Sequence, residues 1–407
     1  MITVLVPADW YLPGWKAGGA LRSLAALVAH LRDEFAFRIV TRDHDWTERS
    51  PFPGVRPNEW TRVEGADVLY LPARATHPGT LLGILRADTY DVLYLHSLFS
   101  GTMTISPLLF RRLGLARKAP VVLAPRGQLS PGALAIRKWK KRSFLVVARW
   151  LGLYEDVIWQ ASTEHEAQDI RHHFERDPTR PTRVVIAPDL AIVDTTRPPS
   201  SAKRPGELRA VWLSRITPKK NLLGALDILA GVGAPVRLDI YGLVEDEPHW
   251  RECEARIKSL PPEISANYCG VLPYPAVVST LAKYDLFFFP SLGENFGHVI
   301  LEALAAGCPV LTSDQTGFRD LTAGGIGWTL PLADVAAFRE RIRECIAMGP
   351  AERDRIAERA VRFARDYLLD ERSVEANRML FREAAERGRV ASDRDIVPAQ
   401  CRDQNIA

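Results

Sequence analysis

The segment that decides the fold is Pro290-Ser291-Leu292-Gly293-Glu294-Asn295-Phe296-Gly297-His298-Val299-Ile300-Leu301-Glu302-Ala303. The apolar run Leu286–Pro290 before it predicts a buried strand, and the residues after Gly297 predict a helix that continues to about Ala306. Gly307-Cys308-Pro309 then ends that helix before another apolar run begins. A strand, a loop, a helix and a second strand in this order are typical of a parallel sheet.

Short apolar runs alternate with longer amphipathic stretches over most of the chain. Strands that are apolar throughout and separated by helices are typical of a parallel sheet covered on both faces, so we predict an α/β fold. The predicted strands are Ile2–Val6, Arg38–Thr41, Val68–Leu71, Val92–His96, Val121–Ala124, Val157–Ala161, Val184–Ala187, Ala210–Ser214, Val236–Tyr241, Asn267–Cys269, Leu286–Pro290 and Val310–Thr312.

The alternation stops in residues 196–207, where three prolines argue against a helix or a central strand. We therefore predict two Rossmann-like, doubly wound domains facing a cleft, over residues 1–195 and 208–349, with 196–207 as their linker. Charged helices over 350–390 are expected to pack back toward the first domain, and 391–407 to form a flexible tail. Because ligands bind beyond the carboxyl ends of such strands, we expect the site in the cleft.

Composition excludes several classes of protein. The chain has 407 residues, 47% hydrophobic and 25% charged, which suits two or three globular domains rather than a disordered or collagen-like chain. A net charge of +4 is too small to indicate nucleic-acid binding. Five cysteines without a Cys-x-x-Cys pair favour neither a disulfide framework nor a zinc site. With no secretory signal and no bilayer-spanning run, we expect a cytoplasmic protein that can lie on the inner face of the inner membrane.

Two carboxylates flank the start of the helix in the opening segment. Glu294 lies in the turn after the strand, and Glu302 lies about two helical turns later, so the two could contact separate parts of one extended ligand. The amides around Gly297, His298 and Val299 have no partner within a helix and form a ready anion site. The alternative is a helix with an acidic first turn and a solvated Glu302.

A second charged segment follows the first strand of the second domain, Ser214-Arg215-Ile216-Thr217-Pro218-Lys219-Lys220-Asn221-Leu222. Arg215 and Lys220 are expected to meet at the carboxyl end of that strand, where a bidentate donor and a point charge suit a diphosphate. The alternative is a basic turn that faces solvent.

Together these segments resemble glycosyltransferase family 4, the retaining nucleotide-sugar enzymes of the GT-B fold. The resemblance implies that Glu302 binds the ribose hydroxyls and that Arg215 and Lys220 bind the diphosphate. It also implies that Glu294 faces the donor sugar and the reaction centre; whether Glu294 attacks covalently or only stabilises charge stays open. The remaining implied donor-binding residues are Asn295, Phe296, Gly297, His298, Val299, Gly18 and Gly19.

The first domain is expected to bind the acceptor. Gly18-Gly19 follows the first strand and is by itself more typical of a flexible turn, but the family has a similar glycine pair beside the donor phosphate. His96 ends a strand; such a histidine is usually structural, although its position is similar to a family histidine near the transferred sugar. Arg126 follows another strand end and is thereby placed near the cleft, where it is expected to hold an acceptor phosphate. The segment Pro125-Arg126-Gly127-Gln128 resembles that of family members that assemble bacterial exopolysaccharides.

Three further motifs have competing interpretations. Thr163 to Glu166 fits a helix capping box, although the family often has a donor-side Ser-Glu at this point. Asp43-His44-Asp45 has the spacing of a metal site but lies away from Glu294, so we expect no metal and no cofactor. Residues 137–151 mix basic residues with tryptophans, which fits a membrane-facing helix as well as a basic helix packed on the sheet.

The sequence thus predicts a retaining glycosyltransferase that moves a sugar from a nucleoside-diphosphate sugar to a glycan acceptor in cell-surface polysaccharide biosynthesis. The expected acceptor is a glycan or a polyprenyl-diphosphate-linked glycan, with peripheral contact to an anionic membrane and no nucleic acid. Two alternatives stay open, a nucleotide-sugar 2-epimerase of the same fold and a non-catalytic nucleotide-sugar-binding module. Ala187-Pro188-Asp189 and Gln315-Thr316-Gly317 depart from the family pattern, and the base, sugar and linkage are not specified.

Overall fold

The computed structural model describes residues 1–135, 138–175, 181–195 and 206–396. The chain divides into two compact units, one of Met1–Leu190 together with the C-terminal helix from Glu371, the other of Ala191–Asp370. Each unit contains one sheet of mainly parallel strands with helices between them, which confirms the predicted α/β class.

The first unit has an eight-stranded sheet in the order β3-β4-β2-β1-β5-β6-β7-β8, in which β3 pairs antiparallel with β4. Its strands are β1 Ile2–Pro7, β2 Phe35–Arg42, β3 Trp60–Val63, β4 Ala66–Leu71, β5 Val92–Leu95, β6 Val121–Leu123, β7 Val157–Ala161 and β8 Val184–Ile186. Its helices before the second unit are α1 Gly19–Leu31, α2 Pro78–Ala87, α3 Ser106–Arg112, α4 Pro131–Ala135, α5 Lys138–Trp150 and α6 Glu164–Phe174.

The second unit has a six-stranded parallel sheet in the order β11-β10-β9-β12-β13-β14. Its strands are β9 Leu208–Leu213, β10 Val236–Tyr241, β11 Ile264–Tyr268, β12 Leu286–Phe289, β13 Val310–Ser313 and β14 Gly327–Leu330. Its helices are α7 Leu222–Leu229, α8 Glu247–Lys258, α9 Val277–Leu281, α10 His298–Ala305, α11 Leu321–Gly324, α12 Val335–Ala347 and α13 Pro350–Leu368.

The last two helices pack on different units. Helix α13 packs on α10 in the second unit, where Gly307 lies against Ala357 and Val361. Helix α14, Glu371–Ile396, packs on α1 and β5 of the first unit and places Phe381 in that unit's core. The boundary between the two units therefore lies at Asp370, between the two C-terminal helices α13 and α14.

Two strands were missed in the sequence. β3 is a half-exposed edge strand with a threonine and an arginine at its centre, and β14 begins at Gly327, so neither has an apolar run that predicts a strand. The predicted linker at 196–207 lies almost wholly outside the described residues, and so does the end of the predicted tail, 397–407; residues 391–396 continue α14. None of the described helices is long and apolar enough to cross a bilayer.

Candidate functional site

Strand β12 and helix α10 position the central loop of the second unit. All four residues of β12 are buried, so hydrophobic burial holds the strand at the centre of the sheet. Gly297 has φ 87°, a left-handed conformation that glycine adopts without a steric penalty, and it is the N-cap residue directly before α10. Residues 290–297 are therefore held between a buried strand and a buried helix.

Lys220 and Glu294 are in direct contact in this loop. Lys220 Nζ donates to the two carboxylate oxygens of Glu294 at 2.6 and 2.7 Å, and Ser291 Oγ donates to Oε1 at 2.8 Å. The two side chains are only 14% and 10% exposed. Burial by itself would raise the pKa of Glu294, but the charge and hydrogen bonds of Lys220, with Lys219 and Ser291, outweigh it and hold that pKa below its ordinary value.

Main-chain bonds fix the two segments that carry this pair. Leu292 N donates to Lys219 O at 3.0 Å and Glu294 N donates to Gln315 O at 3.0 Å. Asn221, in the left-handed conformation with φ 58°, donates its side-chain amide to Pro290 O at 2.7 Å. Ser291 and Asn221 were missed in the sequence; the signal for Asn221 was its place after a turn, since asparagine tolerates this conformation.

The other two charged residues predicted for the site have different surroundings. Arg215 Nη1 pairs with Glu245 Oε2 at 2.8 Å and is about one-third exposed. Glu302 is buried within α10 at 1% exposure, so it is not the solvated glutamate of the alternative interpretation. Arg215 and Lys220 each have an acidic partner of their own, and their meeting at a diphosphate stays a prediction.

The aromatic residues of the predicted donor-binding segment are mostly internal. The Phe296 ring lies 4.6 Å from that of His298, 6.3 Å from Phe318 and 6.0 Å from Tyr367, and Phe296 and His298 are each 8% exposed. Asn295 and Val299 are half-buried. This segment can therefore offer a ligand chiefly its main-chain amides at the start of α10.

In the first unit, Asp45 holds the loop before the glycine pair. Its Oδ2 accepts from the main-chain N–H groups of Trp15 at 2.9 Å and Lys16 at 3.2 Å. Gly18, with φ 78°, precedes α1 and Gly19 begins it. Asp43 bonds to His44 Nδ1 at 2.8 Å, and among the described residues no group of three or more acidic, histidine or cysteine side chains has the geometry of a metal site.

His96 and Arg126 lie together at the carboxyl ends of β5 and β6. Arg126 Nε donates to His96 Nε2 at 3.0 Å, and the Arg126 guanidinium also pairs with Asp189. The Arg126 side chain is only 7% exposed. The Arg126 guanidinium has buried protein partners in this structure, and its contact with an acceptor phosphate stays a prediction.

The segment from Thr163 to Glu166 caps α6 in part as predicted. Thr163 Oγ1 accepts from Glu166 N at 3.2 Å. Glu166 does not reach back to Thr163; it accepts from Ser162 N at 2.8 Å and from Gly127 N at 2.5 Å. The cap therefore also supports the turn that carries Arg126.

Both groups of residues lie where the strand order reverses. In the first sheet β1 and β5 are neighbours, and they lead to Gly18 and His96. In the second sheet β9 and β12 are neighbours, and they lead to Lys220 and Glu294. Helices on opposite faces of a sheet diverge at such a point and leave a crevice outside the carboxyl ends of the strands, where ligands bind.

Residues 194–363 match the family described as glycosyl transferases group 1. Curated relatives include a putative colanic acid biosynthesis glycosyltransferase of Salmonella typhimurium, 30% identical over 37% of this chain and 40% of that protein. Another is a GDP-mannose-dependent alpha-mannosyltransferase of Mycobacterium tuberculosis, 33% identical over 36% of this chain and 35% of that protein. The matched stretches span well under half the length of these curated relatives.

Solved structures match over nearly the whole chain. The crystal structure of Anabaena HepE with UDP and glucose has a TM-score of 0.68 at 17% identity, covering 95% of this chain and 100% of that one. The structure of WaaG, a glycosyltransferase involved in lipopolysaccharide biosynthesis, has a TM-score of 0.65 at 15% identity, covering 93% and 99%. These neighbours confirm the predicted fold, and the relatives confirm the resemblance to bacterial polysaccharide glycosyltransferases.

Proposed function

Since this chain has the GT-B fold and its second unit matches the group 1 glycosyl transferases, we propose that it transfers a sugar, with retention of configuration, from a nucleoside-diphosphate sugar to a glycan acceptor. The process is the biosynthesis of a cell-surface polysaccharide. The observation that carries the proposal is the Lys220–Glu294 contact beside the first turn of α10, at the reversal point of the second sheet.

The chemistry of the transfer matches these groups. Cleavage of the sugar–phosphate bond leaves negative charge on the diphosphate and positive charge at the anomeric carbon. Lys220 and the amides of α10 stabilise the diphosphate, and Glu294 faces the sugar, where a carboxylate stabilises the developing cation. Donor binding then draws Lys220 from Glu294 toward phosphate and frees the carboxylate. Arg215 on the diphosphate and Glu302 on the ribose complete the proposed donor site, and HepE, with bound UDP-glucose, supports this class of donor.

We further propose that these cationic groups serve in place of a metal. Lysine and helix N-terminal amides neutralise phosphate charge without an ion. Transfer is expected to continue after exhaustive treatment with EDTA, and recovery of lost activity by Mg²⁺ or Mn²⁺ would overturn this part of the proposal.

A thermal-shift screen of the full chain against UDP, GDP, ADP and their sugar conjugates tests donor binding directly. A nucleotide at 100 times its Kd raises the unfolding free energy by about 2.7 kcal/mol, so a true donor is readily detected.

Glu294→Gln is expected to keep nucleotide binding and to lose at least about a hundredfold in kcat. Exposed Glu254→Gln on α8 is the matched control. Conversion of a nucleotide sugar to its epimer without an acceptor would establish the alternative isomerase.

The acceptor side of the proposal rests on helix α5. Trp139 and Trp150 are 84% and 82% exposed, and Val146 and Val147 lie between them at 64% and 52%. Positions 139, 146, 147 and 150 fall on one face of a helix, which forms an exposed apolar stripe. The opposite face is buried through Leu145 and Ala148.

Cationic side chains flank this stripe. Lys138, Lys140 and Arg142 are exposed, whereas Lys141 turns inward and donates to Ala133 O at 2.6 Å. Arg137 lies outside the described residues. Tryptophans and aliphatic residues beside cations suit the interface of an anionic bilayer. We propose that α5 rests on the cytoplasmic face of the inner membrane, where a glycan on a polyprenyl-diphosphate carrier is presented.

Vesicle co-sedimentation tests the membrane contact. Reversing Lys138, Lys140 and Arg142 to Glu is expected to weaken binding to vesicles that contain phosphatidylglycerol by about a hundredfold or more, at about 1 kcal/mol per cation removed. Reversing Arg355, Arg362 and Arg365 on α13 is the charge-matched control. Trp139→Ser with Trp150→Ser is expected to release the protein as well. Equal binding of the α5 and α13 variants would refute the contact.

A further inference from the structure

Arg126 lies in a turn of the first unit whose backbone conformation is uncommon. It follows β6 in the left-handed region, with φ 54°, which is uncommon for a residue with a side chain. The turn is held by Glu166, which accepts from Gly127 N at 2.5 Å. A strained backbone conformation that neighbouring bonds hold in place is typical of residues with a positioning role.

The guanidinium of Arg126 contacts three side chains, two from β5 and its carboxyl end and one from the segment after β8. Nε donates to His96 Nε2 at 3.0 Å, Nη2 donates to the Tyr94 hydroxyl at 2.7 Å, and Nη1 pairs with Asp189. A guanidinium has only donors, so the Nε2 atom of His96 must be an acceptor without a hydrogen. The hydrogen of the neutral ring is therefore on Nδ1.

The network continues to the C-terminal helix. The Tyr94 hydroxyl donates to Gln160 Oε1 at 2.7 Å, and Gln160 Nε2 donates to Asn377 Oδ1 at 2.9 Å. Asn377, on α14 and 1% exposed, donates in turn to Pro188 O at 2.8 Å. Pro188 precedes Asp189, so the chain of hydrogen bonds returns to the partner of Arg126. A connected set of buried hydrogen bonds of this kind is rigid.

We propose that Arg126 and Asp189 are a positioning pair that holds His96 as a neutral imidazole with its hydrogen on Nδ1. His96 is then a fixed, uncharged group at the carboxyl end of β5 and takes no proton during the reaction. Asp189 is where the sequence departs from the family pattern, and its contact with Arg126 gives that departure a physical reason. The consequence for catalysis rests on the proposed function, whereas the tautomer does not.

The charges around His96 agree with this assignment. Burial and the positive charge of Arg126 lower the pKa of His96 well below its ordinary value. The other titratable groups that face the network are Tyr94, whose ring lies 5.6 Å from that of His96, Asp189 and Glu166. Asp189 pairs with Arg126, and Glu166 accepts hydrogen bonds from main-chain amides, so both negative charges are compensated locally.

Long-range ¹H–¹⁵N NMR of the full chain tests the proposal without any assay of activity. The His96 signals are assigned by their loss in His96→Gln. We expect Nε2 without hydrogen and Nδ1 with hydrogen from pH 8 to pH 5. A ring that carries hydrogen on Nε2, or that titrates near its ordinary value of about 6.5, overturns the proposal.

Two variants distinguish an electrostatic effect of Arg126 and Asp189 on His96 from a packing effect. In Arg126→Gln the carboxylate of Asp189 is left without its cation, so we expect His96 to titrate near or above about 6.5 and kcat to fall with acid below that pH. In Arg126→Gln with Asp189→Asn both charges are gone, and we expect His96 to stay neutral and the acid fall to disappear. The same acid fall in both variants would contradict a charge-based role. If the wild type transfers no sugar, the proposed function fails while the NMR result still decides the tautomer.

Discussion

At the residue scale, Lys220 and Glu294 illustrate what burial does to a charge pair. Removing one partner of a buried pair leaves the other charge without compensation, and this costs about 3–5 kcal/mol of stability. We expect Lys220→Met to destabilise the second unit by this amount at pH 7, as measured by hydrogen exchange in urea. Lys219→Met, beside it in sequence, is the control and should lose far less. Adding Glu294→Gln to Lys220→Met should restore most of the stability; a double variant as unstable as the single one would contradict this account.

The pH dependence of stability follows from two pKa shifts of the same sign. The pKa of Glu294 is lowered on folding, so its contribution is complete above its unfolded value of about 4.3 and is lost as the pH falls through its folded value. The pKa of His96 is also lowered, and its contribution is complete above about 6.5. We expect acid to weaken the first unit from about pH 6.5 and the Glu294 region only below about 4.3, measured by hydrogen exchange. In the variant His96→Gln, the part of this acid destabilisation of the first unit that arises from His96 should be absent.

At the element scale, the start of α10 depends on the conformation of Gly297. A side chain at φ 87° is strained, and a Cβ here would lie 3.2 Å from Ile300 Cδ1. We expect Gly297→Ala to cost about 1–2 kcal/mol and to weaken nucleotide binding, because the amides at the helix start would shift. Gly233→Ala is the control, since Gly233 has φ 69° with no neighbouring atom within 4 Å and lies in another loop. Equal nucleotide affinity of both variants, measured by calorimetry, would argue against a role for this helix start.

The sequence pattern predicted the structure best at the scale of helices and strands. The twelve predicted strands agree with observed strands to within a few residues because most of them are apolar runs next to helices. β3 and β14 lack that pattern, and their positions are set by pairing with β4 and β13. Pairing energy of this kind arises only in the folded sheet.

At the scale of the whole molecule, α14 completes the first unit although it follows the second in sequence. Phe381 packs against Phe35, Phe37 and Tyr94, with ring centroids 5.2 to 6.0 Å apart. We expect Phe381→Ala to destabilise the first unit by about 3–5 kcal/mol. Phe338→Ala, which empties a fully buried position in the second unit, is the matched control. Hydrogen exchange resolved by unit should show lost protection in the first unit for Phe381→Ala and in the second unit for Phe338→Ala. If Phe381→Ala lost protection only around residues 350–370, this assignment of α14 would be contradicted.

The sequence by itself determined the α/β class, most of the order of elements and the residue types of the proposed nucleotide-sugar site, because apolar periodicity and turn chemistry are local properties of the chain. Only the tertiary structure decided which charged groups meet. Lys220 pairs with Glu294 because β9 and β12 are neighbours, although the two residues lie 74 positions apart in the sequence. Arg126 is buried against Asp189 because β6, β7 and β8 are adjacent in the first sheet. A local pattern places a charge at the end of a strand, but the order of strands in the sheet chooses its partner.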